Sequence, residues 1–244
     1  MRDRPQTIIA PSLLSCNFAA LGDEANRMLA AGADWLHVDV MDGHFVDNLT
    51  LGPVVYEWLR RAVGPKAFLD CHLMVSDPAR WCDAFIAANG DAGAENLGLT
   101  VHYECFQPDR LSELQRLCAH IRQRGARAAV AISPATSPEV LVPLLDAGAV
   151  SMALVMTVQP GRGGQAFLPE CVAKVRFLRD RYPQLDIQVD GGLSPSTVDQ
   201  AARAGCNVVV SGSAVFKAGD QAAKVMEQLR IAVNRHSERD EGWS

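Results

Sequence analysis

Four residues, His37, Asp39, His72 and Asp190, have the types and spacing to hold a divalent metal ion. In the segment His37-Val38-Asp39-Val40-Met41 the first, third and fifth side chains leave a strand on one face, and the two valines take the other. In Asp70-Cys71-His72-Leu73-Met74 the same alternation aligns Asp70, His72 and Met74, and Asp190 is the last residue before a Gly191-Gly192 turn. An unpaired carboxylate pointing into a protein interior is costly. Either a His–Asp hydrogen-bonded pair or a metal relieves that cost, and a second His at equivalent depth favours the metal. Two imidazoles and two carboxylates suit Zn2+ or Fe2+ best, with Mn2+ or Co2+ as substitutes, over Mg2+, which prefers oxygen and water. A catalytic ion keeps positions open for substrate. If a 2-keto sugar chelates such an ion through its carbonyl and a neighbouring hydroxyl, the cation stabilises an enediolate. Asp39 and Asp190 on opposite faces of that sugar would remove and return the C3 proton, inverting the carbon.

A second constellation suits an anion. Gly161-Arg162-Gly163-Gly164 reads as a plain turn, a mobile lid or a cradle of backbone N–H groups. Asp190-Gly191-Gly192 and Ser211-Gly212-Ser213 end two later strands, and amides at Gly191, Gly192, Gly212 and Ser213 near a helix N-terminus would bind phosphate without Lys or Arg. Met41, Met74 and Met156 also end strands, either as core or as an apolar collar keeping water from a reactive intermediate.

Positioning these groups takes a repeated scaffold. Strand patterns at 8–12, 35–41, 67–75, 99–103, 127–132, 150–156, 187–190 and 207–211 alternate with helical patterns at 18–31, 54–63, 78–89, 110–124, 138–145, 169–181, 195–204 and 221–234. Asn17 caps the first helix, Asp77 precedes a Pro at the start of the third, and Ala-Gly steps end several. Eight β/α units predict one (β/α)8 barrel domain over residues 1–244, with chemistry at the C-terminal strand ends. The Gly- and Asn-rich stretch 89–98 reads as a loop on the opposite face, and the polar tail 237–244 as frayed.

The chain has 244 residues and a net charge of −5. That balance gives no reason to expect nucleic acid or an anionic membrane as partner. Seven cysteines, scattered and odd in number, predict free thiols in a reducing compartment. No signal-peptide pattern or membrane-spanning apolar run is present, so a cytoplasmic location is expected.

The sequence resembles the ribulose-phosphate 3-epimerase family along nearly its whole length. The stretches that carry this are Ile9-Ala10-Pro11-Ser12-Leu13-Leu14-Ser15, His37 through Val46, Cys71-His72-Leu73-Met74-Val75, Val155 through Gln165, and Val189-Asp190-Gly191-Gly192. The resemblance implies interconversion of D-ribulose 5-phosphate and D-xylulose 5-phosphate in the pentose phosphate pathway, one divalent metal per chain and, commonly, a homo-oligomer. It implies His37, Asp39, His72 and Asp190 as ligands, Asp39 as proton acceptor and Asp190 as donor in one direction. Ser12 and His72 would touch substrate, and Gly161, Arg162, Gly163, Gly164, Gly191, Gly192, Gly212 and Ser213 would surround its phosphate. Asp47 stands where the family usually has Pro, Arg162 replaces an aromatic, and Val101 stands where an aromatic usually precedes His102. The rival activity is D-allulose-6-phosphate 3-epimerase, whose ligands would be the same. A metal-free barrel using Lys is disfavoured because no Lys ends a predicted strand, and a non-catalytic binder because the ligand set is intact.

Overall fold

Alternating apolar runs and helical patterns become eight parallel strands and nine α-helices in the computed structural model, which describes residues 5–106 and 109–238. The strands are β1 (Ile8–Pro11), β2 (Trp35–Met41), β3 (Phe68–Met74), β4 (Leu97–His102), β5 (Arg127–Ile132), β6 (Met152–Met156), β7 (Asp186–Asp190) and β8 (Val208–Ser211). Following them in order come α1 (Leu21–Ala30), α2 (Pro53–Val63), α3 (Pro78–Ala88), α4 (Leu111–Gln123), α5 (Val142–Asp146), α6 (Val172–Arg181) and α7 (Val198–Ala204), with α8 (Ser213–Phe216) and α9 (Ala222–Glu238) after β8.

The sheet runs β1-β8-β7-β6-β5-β4-β3-β2, every ladder parallel. Between β1 and β2 the ring closes on a bridge from Ser12 to His37 and on the Asp34 amide donating to the Ile9 carbonyl at 3.0 Å. Asp34 finishes the seam with its side chain, whose Oδ2 accepts from the Ile9 amide at 2.7 Å. This is a (β/α)8 barrel.

The period-2 pattern decides what fills it. Val38, Val40, Cys71, Leu73, Val130 and Val155 face outward into the helix-covered core. Ile8, Ala10, Trp35, Ala129, Met152, Val208 and Val210 plug the interior toward the strand N-termini, with Phe68 against them. Above that plug the interior turns polar, with His37, Asp70, His72, Thr100, His102 and Gln188 all fully buried. Such a layer persists only where its members partner one another or a ligand.

The sequence reading differs at several places; the helices expected from 138 and 169 open with 3-10 turns, Pro138–Leu141 and Pro169–Cys171, and the one expected from 195 starts at Val198. Residues 97 and 98, assigned to a loop, begin β4, and the preceding stretch is two 3-10 turns, Gly90–Ala92 and Ala94–Asn96. Gly98 faces the interior, where a Cβ would stand 3.2 Å from Asp70 Oδ1, so this glycine makes room for a buried carboxylate. The Asn17 cap holds, its side chain accepting from the Ala19 amide, but the first turn is 3-10 (Phe18–Ala20) and α1 starts at Leu21. The short α8 has no counterpart in the sequence reading, because four residues are too few to show a helical period. The last helix reaches Glu238, beyond the expected 234, and of the tail expected to fray, 239–244 lie outside the described residues.

All seven cysteines are free, five of them buried. No helix among the described residues is long and apolar enough to cross a membrane.

Candidate active site

Strand register sets the depth of each ligand. Asp39 on β2 stands opposite His72 on β3, and Met41 opposite Met74. Asp190 on β7 stands opposite Met156 on β6. All six are therefore near the same C-terminal rim, and alternation turns each inward.

His37, Asp39, His72 and Asp190 each offer one donor atom within 4.8 Å of the others. Four ligands about 2.1 Å from one ion in a tetrahedron stand roughly 3.4 Å apart. His72 Nδ1 lies 3.1 Å and His37 Nε2 3.3 Å from Asp39 Oδ1, and each lies 3.7 Å from Asp190 Oδ2. Moreover, His37 Nε2 is buried, aimed into this cluster, and has no hydrogen-bond partner. That orphaned atom and the matching separations fit a cluster that could hold one divalent cation better than they fit a hydrogen-bonded plug.

The protein groups already polarise the cluster. Burial disfavours the Asp39 charge, but His37 and His72 outweigh it and hold the carboxyl well below the usual range. Burial, then repulsion from Asp39, pushes Asp190 up to about 7. Burial opposes a charge on His37 too, yet Asp39 and Asp70 raise it well above its ordinary value, while burial leaves His72 lowered. Two carboxylates driven apart in this way suit opposite proton-transfer roles; a bound cation would favour the ionised form of both.

Supporting contacts fix each donor. Ser12 Oγ donates to Asp39 Oδ2 at 2.7 Å. Thr50 Oγ1 donates to the Asp39 carbonyl at 2.6 Å and accepts from the Met41 amide at 2.9 Å, patching the end of β2. His37 Nδ1 meets Asp70 Oδ2 at 2.8 Å, and Gln188 Nε2 donates to the same oxygen at 2.5 Å. Asp70 thus turns His37 Nε2 toward the cluster, a role the alternation pattern could have suggested since Asp70 shares a face with His72. Thr157 donates from Oγ1 to the Gly191 carbonyl at 2.7 Å, tying the end of β6 to the turn after β7.

A cavity opens above the cluster. Asp39 and Asp190 reach it, with Ser12, Met41, Met74, Met156, Gly161, Arg162, Gly163, Gly164, Gly191, Gly192, Gly212 and Ser213 in its lining. His37 and His72 are fully buried below and do not line it. Met41 and Met74 pack with Val46, and Met156 with Leu154 and Val158, forming two apolar walls beside the carboxylates. Along the far wall, the backbone N–H groups of Gly192, Gly212 and Ser213 have no protein acceptor among the described residues. Gly191 and Gly192 have φ of +124° and +68°, and a Cβ would stand 2.6 Å from Val158 Cγ2 or 2.5 Å from the Phe167 nitrogen. Only glycine lets this turn fold so tightly against the β6 loop.

At the mouth, Asn48 donates to the Gly161 carbonyl at 2.9 Å, and Arg162 faces Asp47 at 3.5 Å. The two sequence oddities of these loops are thus one another's partner.

Imidazole and carboxylate donors converge from three strands, under a glycine-lined pocket, into a cluster that could hold a metal ion, at the end of the barrel where barrel enzymes keep their chemistry. Its sequence matches the profile of the Ribulose-phosphate 3 epimerase family over residues 8–216, and the chain belongs to that family. It is 50% identical over 223 residues to the ribulose-phosphate 3-epimerase of Eremothecium gossypii, covering 88% of each chain. It is 48% identical over 226 residues to the cytoplasmic isoform of ribulose-phosphate 3-epimerase from Oryza sativa subsp. japonica, covering 92% of this chain and 93% of that one. Among solved structures it superposes on KGPDC from Streptococcus mutans with a TM-score of 0.68 at 15% identity, over 96% of this chain and all of the other, a likeness of fold.

Proposed function

We propose that the chain interconverts D-ribulose 5-phosphate and D-xylulose 5-phosphate by inverting C3, with Asp39 and Asp190 as the acid–base pair. The observation that carries this reading is the placement of both carboxylates in one metal-sized cluster that opens into a glycine-lined cavity. The family relationship supports the substrate class.

His37, Asp39, His72 and Asp190 would hold the ion, and the two-nitrogen, two-oxygen donor set favours Zn2+ or Fe2+. When bound, it supplies Lewis acidity that makes the proton beside the substrate carbonyl easier to remove. Asp39, oriented by Ser12, accepts the C3 proton in one direction, and Asp190 returns a proton to the opposite face. The negative charge that builds on the sugar is kept from bulk water by Met41, Met74 and Met156. Amides of Gly192, Gly212 and Ser213 receive the phosphate, with Gly161, Arg162, Gly163 and Gly164 over it. His72 acts from beneath the cavity as a ligand. We place the protein in the cytoplasm, in keeping with its free thiols and with the rice relative's designation.

Measuring kcat/KM on D-ribulose 5-phosphate and on D-allulose 6-phosphate tests the assignment. The pentulose phosphate is expected to be the better substrate, and a preference for the hexulose phosphate would overturn it.

A further inference from the structure

The two ligand histidines are oriented by different means. His37 meets its carboxylate directly, through Nδ1 and Asp70. His72 meets none on its outer side. Its Nε2 lies 2.8 Å from Nε2 of His102, and Nδ1 of His102 lies 2.9 Å from Glu104 Oε2. The two rings are stacked, 5.0 Å between centroids, and both are fully buried. Glu104 sits just past β4 in a 3-10 turn (Tyr103–Phe106), and its other oxygen accepts from the Ser133 amide at 2.7 Å and from Thr136 Oγ1 at 2.5 Å. Lys174 holds that last loop by donating to the carbonyls of Ser133, Pro134 and Thr136.

One proton sits in each link of this chain, and the ends decide where. A metal at the cluster needs the lone pair of His72 Nδ1, so a neutral His72 carries its proton on Nε2. That proton points at His102 Nε2, which must accept. Neutral His102 then carries its own proton on Nδ1 and needs an acceptor beyond it, which an ionised Glu104 provides. Reversing the direction would put a proton on His72 Nδ1 and block the ligand. Burial opposes the Glu104 charge, but the bonds from His102, Thr136 and the Ser133 amide outweigh it and hold the carboxyl at about 2.

We propose that Glu104, acting through His102, is a positioning residue that fixes the tautomer of His72 and thereby sets metal affinity. This rests on the metal-site reading above. Glu104→Gln tests it. The Ser133 and Thr136 donors claim the amide oxygen, so the amide nitrogen faces His102 and reverses both links. The Kd for Zn2+, measured by competition with a chromophoric chelator, is expected to weaken by about 10- to 100-fold. Thr136→Val removes a donor from the same carboxylate without reversing the chain, and should shift Kd by less than about threefold. In the Zn2+-loaded parent, 15N NMR of the histidines should show His102 protonated at Nδ1 and accepting at Nε2, a readout that needs no variant to fold. A Glu104→Gln Kd within about threefold of the parent, an equal loss in Thr136→Val, or a His102 proton on Nε2 would each overturn the relay. If the parent binds no metal, the site reading itself falls, and the relay with it.

Discussion

At the floor of the cavity His37, His72 and Asp70 are fully buried and Asp39 nearly so, whereas at its mouth Arg162 is 72% exposed and Asp47 fully exposed. The two regions carry charge under opposite conditions. A buried charge is tolerated only with partners on every side, so each floor residue is fixed by the next: Ser12 by Asp39, Asp70 by His37 and Gln188, Glu104 by His102 and Thr136. An exposed ion pair is screened by water and salt and contributes little. The mouth can therefore vary where the floor cannot. Both loop departures from the family pattern, Asp47 and Arg162, stand at the mouth, and all four proposed ligands stand at the floor or just above it.

That contrast orders the expected losses. Asp39→Asn and Asp190→Asn each remove a charge from the proposed ligand set and one of the proposed acid–base groups, and kcat for C3 inversion should fall at least about a thousandfold. Retention of more than a few per cent of activity in either variant would break the pairing of the two carboxylates. Asp70→Asn leaves the ligands in place but loses the carboxylate behind His37, so metal affinity should drop by about 10- to 100-fold in a chelator competition. An unchanged Kd would show that the floor is less tightly coupled than its geometry indicates. Arg162→Ala sits at the other extreme. Its kcat/KM should change by less than about fivefold, with any difference shrinking as salt rises. A larger, salt-insensitive loss would move the mouth into the same class as the floor.

How much of this was legible in the sequence follows the same division. His37 and Asp39 could be paired because a strand repeats every two residues, and the barrel could be counted because eight strand–helix units recur. The Gly191-Gly192 turn was readable from composition alone. Asp70 could be seen to share the inward face of β3 with His72, but its partners, and any role for Gln188 on β7, could not be read, since what they touch depends on strands far apart in sequence. The same is true of Glu104, whose place beyond the end of β4 is set by a 3-10 turn without a repeating pattern. Gly98 misled in the other direction: its composition signals a loop, and its actual use is to give Asp70 room inside the barrel. Local periodicity thus reveals which residues face inward. Which of them meet is decided by register and closure.

The central claim, two carboxylates working from opposite faces of one substrate, meets its most direct test in deuterium oxide. Metal-loaded protein is mixed with D-ribulose 5-phosphate protonated at C3, and the D-xylulose 5-phosphate formed in the first turnovers is read by NMR. Removal by one carboxylate and return by the other predicts product carrying solvent deuterium at C3. Product that keeps the substrate's own proton there would mean that a single group carries it between the faces, contrary to the roles given to Asp39 and Asp190.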